Sequence, residues 1–62
     1  LDELQRLIPE APDCLRRGGW LLVEHGSDQG AEVRALFQQA GFQNVNTRLD
    51  LAGNERVTLG HV

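Results

Sequence analysis

Gly18-Gly19-Trp20-Leu21-Leu22-Val23-Glu24-His25-Gly26-Ser27-Asp28-Gln29-Gly30 (residues 18–30) is the stretch on which the fold turns. Trp20 to Val23 form a short unbroken apolar run, entered through two glycines and left through a carboxylate, an imidazole and a third glycine. This pattern predicts a buried parallel strand that empties into a polar loop. In open α/β sheets the crevice beyond the carboxyl ends of the strands is where ligands sit. Glu24, His25 and Gln29 are therefore the candidate site residues of this loop.

Outward from that strand the periodicity supplies its neighbours. Leu1, Leu4, Leu7, Ile8, Ala11 and Leu15 recur at three- and four-residue intervals, which predicts an amphipathic helix with Asp2, Glu3 and Glu10 towards its positive end. Pro9 and Pro12 each remove a backbone donor and clash with the preceding turn, so the helix is expected to kink near Pro9 or to stop at Ile8 and restart at Glu10. Arg16, Arg17 and Gly18 are expected to close it. On the other side Ser27 is the expected N-cap of a second helix, with Asp28 in its first turn. Val33, Leu36, Phe37 and Ala40 mark that helix's buried face and Gly41 its end.

From Phe42 the period changes to two. Val45, Thr47 and Leu49 alternate with Asn44, Asn46 and Arg48; then, after a loop rich in turn formers, Val57, Leu59 and His61 alternate with Arg56, Thr58 and Val62. The order helix, strand, helix, hairpin implies a right-handed crossover between the first two strands, with the last strand antiparallel. The expected product is an α/β unit with a three-stranded mixed sheet, the last strand inserted centrally between the other two.

Size and charge limit what such a unit does. Sixty-two residues make at most one small domain, and a chain of that length buries only about 60% of its unfolded surface. One cysteine, Cys14, excludes an internal disulfide; with only His25 and His61 there is no zinc-site spacing, so no metal is expected. Cys14 and Trp20 are expected in the core. Net charge is −3 and the cations are scattered arginines, which argues against a direct nucleic-acid partner. The longest apolar run, four residues, is far below the roughly 20 needed to cross a bilayer. A cytoplasmic location with no membrane partner is the simplest expectation.

The run G-G-W-L-L-V-E-H-G, the following Gln29, the A-G-F turn at residues 40–42 and the close D-L-A-G-N-E-R-V-T-L-G at residues 50–60 closely resemble the carboxyl-terminal end of the HemK-type protein-(glutamine-N5) methyltransferases. The resemblance implies the C-terminal piece of a class I, Rossmann-like methyltransferase fold. Trp20–Glu24 would be its fifth strand, Phe42–Leu49 its sixth and Arg56–His61 its seventh, lying in the order fifth, seventh, sixth. It also implies transfer of a methyl group from S-adenosyl-L-methionine to the glutamine side-chain amide in the Gly-Gly-Gln loop of peptide-chain release factors. The family's glycine-rich cofactor loop and its Asn-Pro-Pro-Tyr motif are not among these residues. The 62-residue chain is accordingly expected to be a C-terminal fragment without catalytic activity alone, and to self-associate through the edge left open on Trp20–Val23.

Several roles stay open. Glu24 and His25 either line the pocket wall or bond backbone and neighbouring polar groups as ordinary structure, and Gln29 either fixes the loop or reaches the substrate peptide. Asp50 and Arg56 are read most simply as an ion pair across the neck of the hairpin loop, which the resemblance puts near the pocket rim. The competing functions are a related class I methyltransferase with another substrate, or a small module that binds a partner through its sheet edge.

Overall fold

Helix, strand, helix and hairpin follow one another as the periodicity predicts. In the computed structural model, which describes residues 2–62, they are α1 (Asp2–Cys14), β1 (Trp20–Glu24), α2 (Gly30–Gln39), β2 (Gln43–Leu49) and β3 (Glu55–His61). Leu1, read as part of the first helix face, lies outside the described residues. The sheet order is β1-β3-β2, so the last strand is central, and both of its pairings are antiparallel. This corrects the expected mixed sheet and the reading of β1 as a buried parallel strand. β1 and β2 run in the same direction, but β3 fills the space between them and takes the hydrogen bonds they would otherwise exchange.

α1 is a single helix through both prolines, neither stopping at Ile8 nor reaching Arg17. Packing outweighs the lost backbone bonds, because the turns around Pro9 carry Ile8 and Ala11, both buried in the core beside Leu4 and Leu15. Cys14 is exposed, against expectation. Two helical turns separate it from exposed Leu7, so both lie on one flank of the helix, outside the 4-8-11-15 stripe. Arg16 and Arg17 lie beyond the helix. Gly18, at φ 81°, serves the turn into β1 rather than the helix end, its amide donating to the Val62 carbonyl at 3.0 Å.

α2 starts at Gly30, three residues after the expected cap Ser27, because the turn from Gly26 to Gln29 precedes it; Gln29 holds the N-cap position without a side-chain cap bond to the helix. Its far end closes as predicted at Gly41. The Phe42 amide donates to the Phe37 carbonyl and the Gly41 amide to the Gln38 carbonyl, both at 3.1 Å, with Gly41 at φ 90°. The two aromatic rings bracketing that turn meet at 4.9 Å between centroids. Such paired bonds with an apolar contact across them make a Schellman motif.

Core residues Ile8, Ala11, Val23, Val33, Phe37 and Phe42 gather between the helices and one face of the sheet. On that face Leu21 and Val23 of β1 stand beside Gly60 and Thr58 of β3, with Val45 and Thr47 of β2 beyond. Trp20, Leu22, Glu24, Val57 and Leu59 stand on the opposite face, which no helix covers among the described residues. Trp20 is therefore 49% exposed and Leu22 61% exposed, so Trp20 is no core anchor; its ring packs on that of His61 at 4.7 Å. β2 departs from strict alternation at two irregularities, between Gln43 and Asn46, where Asn44 takes φ 53°, and between Arg48 and Leu49. The second leaves Leu49 exposed although Val45 and Thr47 turn inward.

Candidate functional site

The loop after β1 is built from the inside. Glu24 is the last residue of β1 on the uncovered face, and its side chain is exposed. His25, next along, falls on the helix side and is buried. Alternation along the strand sends the two to opposite faces, so they do not form one acid–base pair. The His25 amide donates to the Arg56 carbonyl at 2.9 Å, which carries the β1–β3 ladder one residue past the strand.

Gly26 is held on both sides of its peptide. Its amide donates to Gln29 Oε1 at 2.8 Å, and its carbonyl accepts from the Gln29 amide at 3.0 Å and from His25 Nδ1 at 2.9 Å. Gln29 thus closes the turn onto itself. His25 Nε2 lies 2.7 Å from Thr58 Oγ1, whose hydroxyl is 2.8 Å from that of Thr47, itself an acceptor from Arg34 Nη1 at 2.8 Å. Arg34 pairs with Glu55 at 2.9 Å, and the Glu55 carboxylate lies directly against Gly30, where a side chain would collide with it. Arg34, Thr47, Thr58 and Glu55 were not singled out from the sequence. A threonine in a strand reads as β-former first, and only the register that sets Thr47 opposite Thr58 reveals a polar chain.

Asp50 and Arg56 meet at 3.4 Å across the hairpin loop. Asp50 does more than pair: Oδ1 accepts the Ala52 and Asn54 amides, each at 2.9 Å, while its own amide donates to the Asn54 carbonyl. Arg56 also reaches the His25 carbonyl, weakly, at 3.5 Å. The hairpin loop and the loop after β1 therefore touch through one guanidinium. The Asn54 amide, and after it Ala52 and Arg56, hold the Asp50 carboxyl below the ordinary carboxylate range despite some desolvation. A depressed folded-state pKa contributes stability above the unfolded value of about 3.9 and loses it as pH falls through the folded value. Asp50→Ala is expected to lower the urea midpoint at pH 7, with the gap to wild type closing below about pH 4. A gap that stays constant would show that the carboxylate's charge contributes nothing.

Among the described residues no three His, Cys, Asp or Glu side chains come together as a metal site, and no helix is long and apolar enough to cross a membrane. The arrangement is a small α/β layer whose first strand delivers a hydrogen-bonded polar loop to the sheet's carboxyl edge, the architecture on which open-sheet ligand sites are built.

Sequence comparison supplies the kin. The chain is 53% identical over 60 residues to the release factor glutamine methyltransferase of Pseudomonas aeruginosa, which is 97% of this chain and 22% of that protein. It is 48% identical over 60 residues to that of Vibrio cholerae (97% and 21%) and 53% identical over 57 residues to that of Neisseria gonorrhoeae (92% and 21%). Over nearly all of its length the chain is similar to release factor glutamine methyltransferases, and it spans about a fifth of the length of the curated relatives it matches. No protein-family model matches it.

Proposed function

We propose that this chain is the C-terminal part of an S-adenosyl-L-methionine-dependent, class I methyltransferase that methylates the glutamine amide of the Gly-Gly-Gln motif in release factors. Identity of 53% over nearly the whole chain to proteins of that name carries the reading. The sheet order, with an antiparallel last strand between the other two, supports the Rossmann-like assignment, since it is the order the resemblance implies. Within the whole enzyme the chain supplies sheet, packing and one wall of the pocket, with Glu24 exposed at its edge and the Asp50–Arg56 pair at its rim.

Of the loop amides, those of His25, Gly26 and Gln29 are taken by partners inside the chain, and the family's glycine-rich cofactor loop is not among these residues. Methylating an amide nitrogen, a poor nucleophile, further requires preorganised polar groups around it. The 62-residue chain is therefore inactive alone, while a full-length methyltransferase carrying it transfers a labelled methyl group to a release factor. Methyl transfer by the purified chain would refute the first statement, and a full-length enzyme that leaves the release-factor glutamine unmodified would refute the second. The open outer edge of β1 and the uncovered apolar face support self-association of the isolated chain. A monodisperse monomer at high concentration in sedimentation would contradict it.

A further inference from the structure

We propose that Arg34, Thr47 and Thr58 are positioning residues for the loop from Gly26 to Gln29, acting through a one-way chain of hydrogen bonds that holds His25 with its proton on Nδ1. The role assigned to the loop rests on the function proposed above; the hydrogen-bond chain does not.

Direction follows from the two ends. A guanidinium has donors and no acceptor, so Thr47 Oγ1 accepts from Arg34, 2.8 Å away. At the other end the Gly26 carbonyl can only accept, so His25 Nδ1, 2.9 Å away, carries a hydrogen. In the neutral ring Nε2 is then an acceptor, and the Thr58 hydroxyl donates to it over 2.7 Å. Having spent its one proton, Thr58 accepts from Thr47 at 2.8 Å. Every group in the line is used once, from Arg34 through two hydroxyls and an imidazole to a backbone carbonyl.

The reverse order fails at both ends. A proton on Nε2 alone would set the Nδ1 lone pair against the Gly26 carbonyl oxygen at 2.9 Å. It would also turn the Thr58 proton towards Thr47 and leave the Thr47 proton with no acceptor in the chain. Burial makes the first of these losses matter, because His25 is nearly fully buried and an unmet ring nitrogen there finds no water. Arg34 in turn is anchored by Glu55 at 2.9 Å. A residue on α2 and one on β2 thereby fix the orientation of a peptide in the loop after β1, two hydroxyls away.

The test uses a full-length methyltransferase carrying this segment, labelled with ¹⁵N-histidine, at about pH 8.5, well above the ordinary histidine range near 6.5. His25→Gln assigns the signal. Protonated-type shift at Nδ1 and acceptor-type shift at Nε2 are expected; the opposite pattern overturns the proposal without any variant. Thr47→Val, a β-branched replacement that keeps shape, is expected to raise hydrogen exchange at the Gly26 and Gln29 amides roughly tenfold, the size of one net hydrogen bond. Exchange at Val33 and Phe37 stays unchanged, and Thr47→Ser restores the loop. Exchange that rises equally in loop and core would mean that Thr47 only packs, and no rise would mean that the Gly26 carbonyl alone sets the loop. Either outcome refutes the relay. Methyl transfer by the same wild-type protein is scored separately, so an inactive enzyme with the expected ring and loop signals fails the functional reading and leaves the relay standing.

Discussion

Phe37→Ala is expected to cost the 62-residue chain roughly a third or more of its folding stability at room temperature. The ring is fully buried, meets Phe42 at 4.9 Å and rests over Gly60 where β3 passes beneath α2. Removing a buried phenylalanine ring costs about 3–5 kcal/mol, part from lost transfer energy and part from the cavity left behind. At roughly 0.05–0.15 kcal/mol per residue, a chain this short has about 3–9 kcal/mol in all. The substitution also removes the apolar half of the Schellman closure, so α2 loses its end as well as its anchor. Circular dichroism against urea reads the result; a cooperative transition within about 1 kcal/mol of wild type would show that the core is centred elsewhere.

Gly60→Val should do comparable damage for the opposite reason. A Cβ at position 60 would stand 3.0 Å from the Phe37 ring edge and 3.2 Å from both Phe42 Cβ and a Val45 methyl. Three neighbours, from α2, the turn after it and β2, would each have to yield, and valine adds two further methyls to that contact. Forcing extra carbons into a packed site costs about 1–3 kcal/mol, and more where neighbours are rigid. Crowding and cavity are here the same space seen from two sides. Gly60→Ala combined with Phe37→Leu is therefore expected to be less destabilising than the sum of the two single changes. Strict additivity in urea denaturation would mean that the ring and the strand do not share this gap.

Much of this architecture is legible from the residues. Val33, Leu36, Phe37 and Ala40 announce α2, and Gly41-Phe42 announces how it stops. The central place of β3 follows from the handedness of a crossover that leaves a slot. What is not legible has identifiable causes. Trp20 to Val23 are apolar on both faces of the strand, so the run carries no alternation to say that Trp20 and Leu22 face away from the helices. In β3 the apolar residues Val57 and Leu59 lie on the uncovered face, while Thr58 and Gly60 are buried under α2. Hydrophobicity alone points the wrong way there, because a glycine is chosen for the room it leaves and a threonine for its partner. α1 persists through Pro9 and Pro12 because burial on both sides of them outweighs local propensity. At the site, Gln29 and the Asp50–Arg56 pair are visible as residue types near loops. The line from Arg34 to Gly26 joins α2, β2, β3 and the loop after β1, and appears only when the strands are in register.

The central position of β3 also sets a clock. β1 and β2 have no hydrogen bonds with each other, so within this segment neither gains a sheet partner until residues from Glu55 onward have been made. At about 5–20 residues per second, the interval from the end of β1 to the start of β3 is roughly 2–6 s of translation. For those seconds Trp20, Leu21, Leu22 and Val23 exist as an apolar strand with no mate in this segment, long after α2 has had time to form. Anything that slows the ribosome between the codons for Glu24 and Glu55 lengthens that exposure, and the yield of native protein should fall with the delay even though the finished sequence is unchanged.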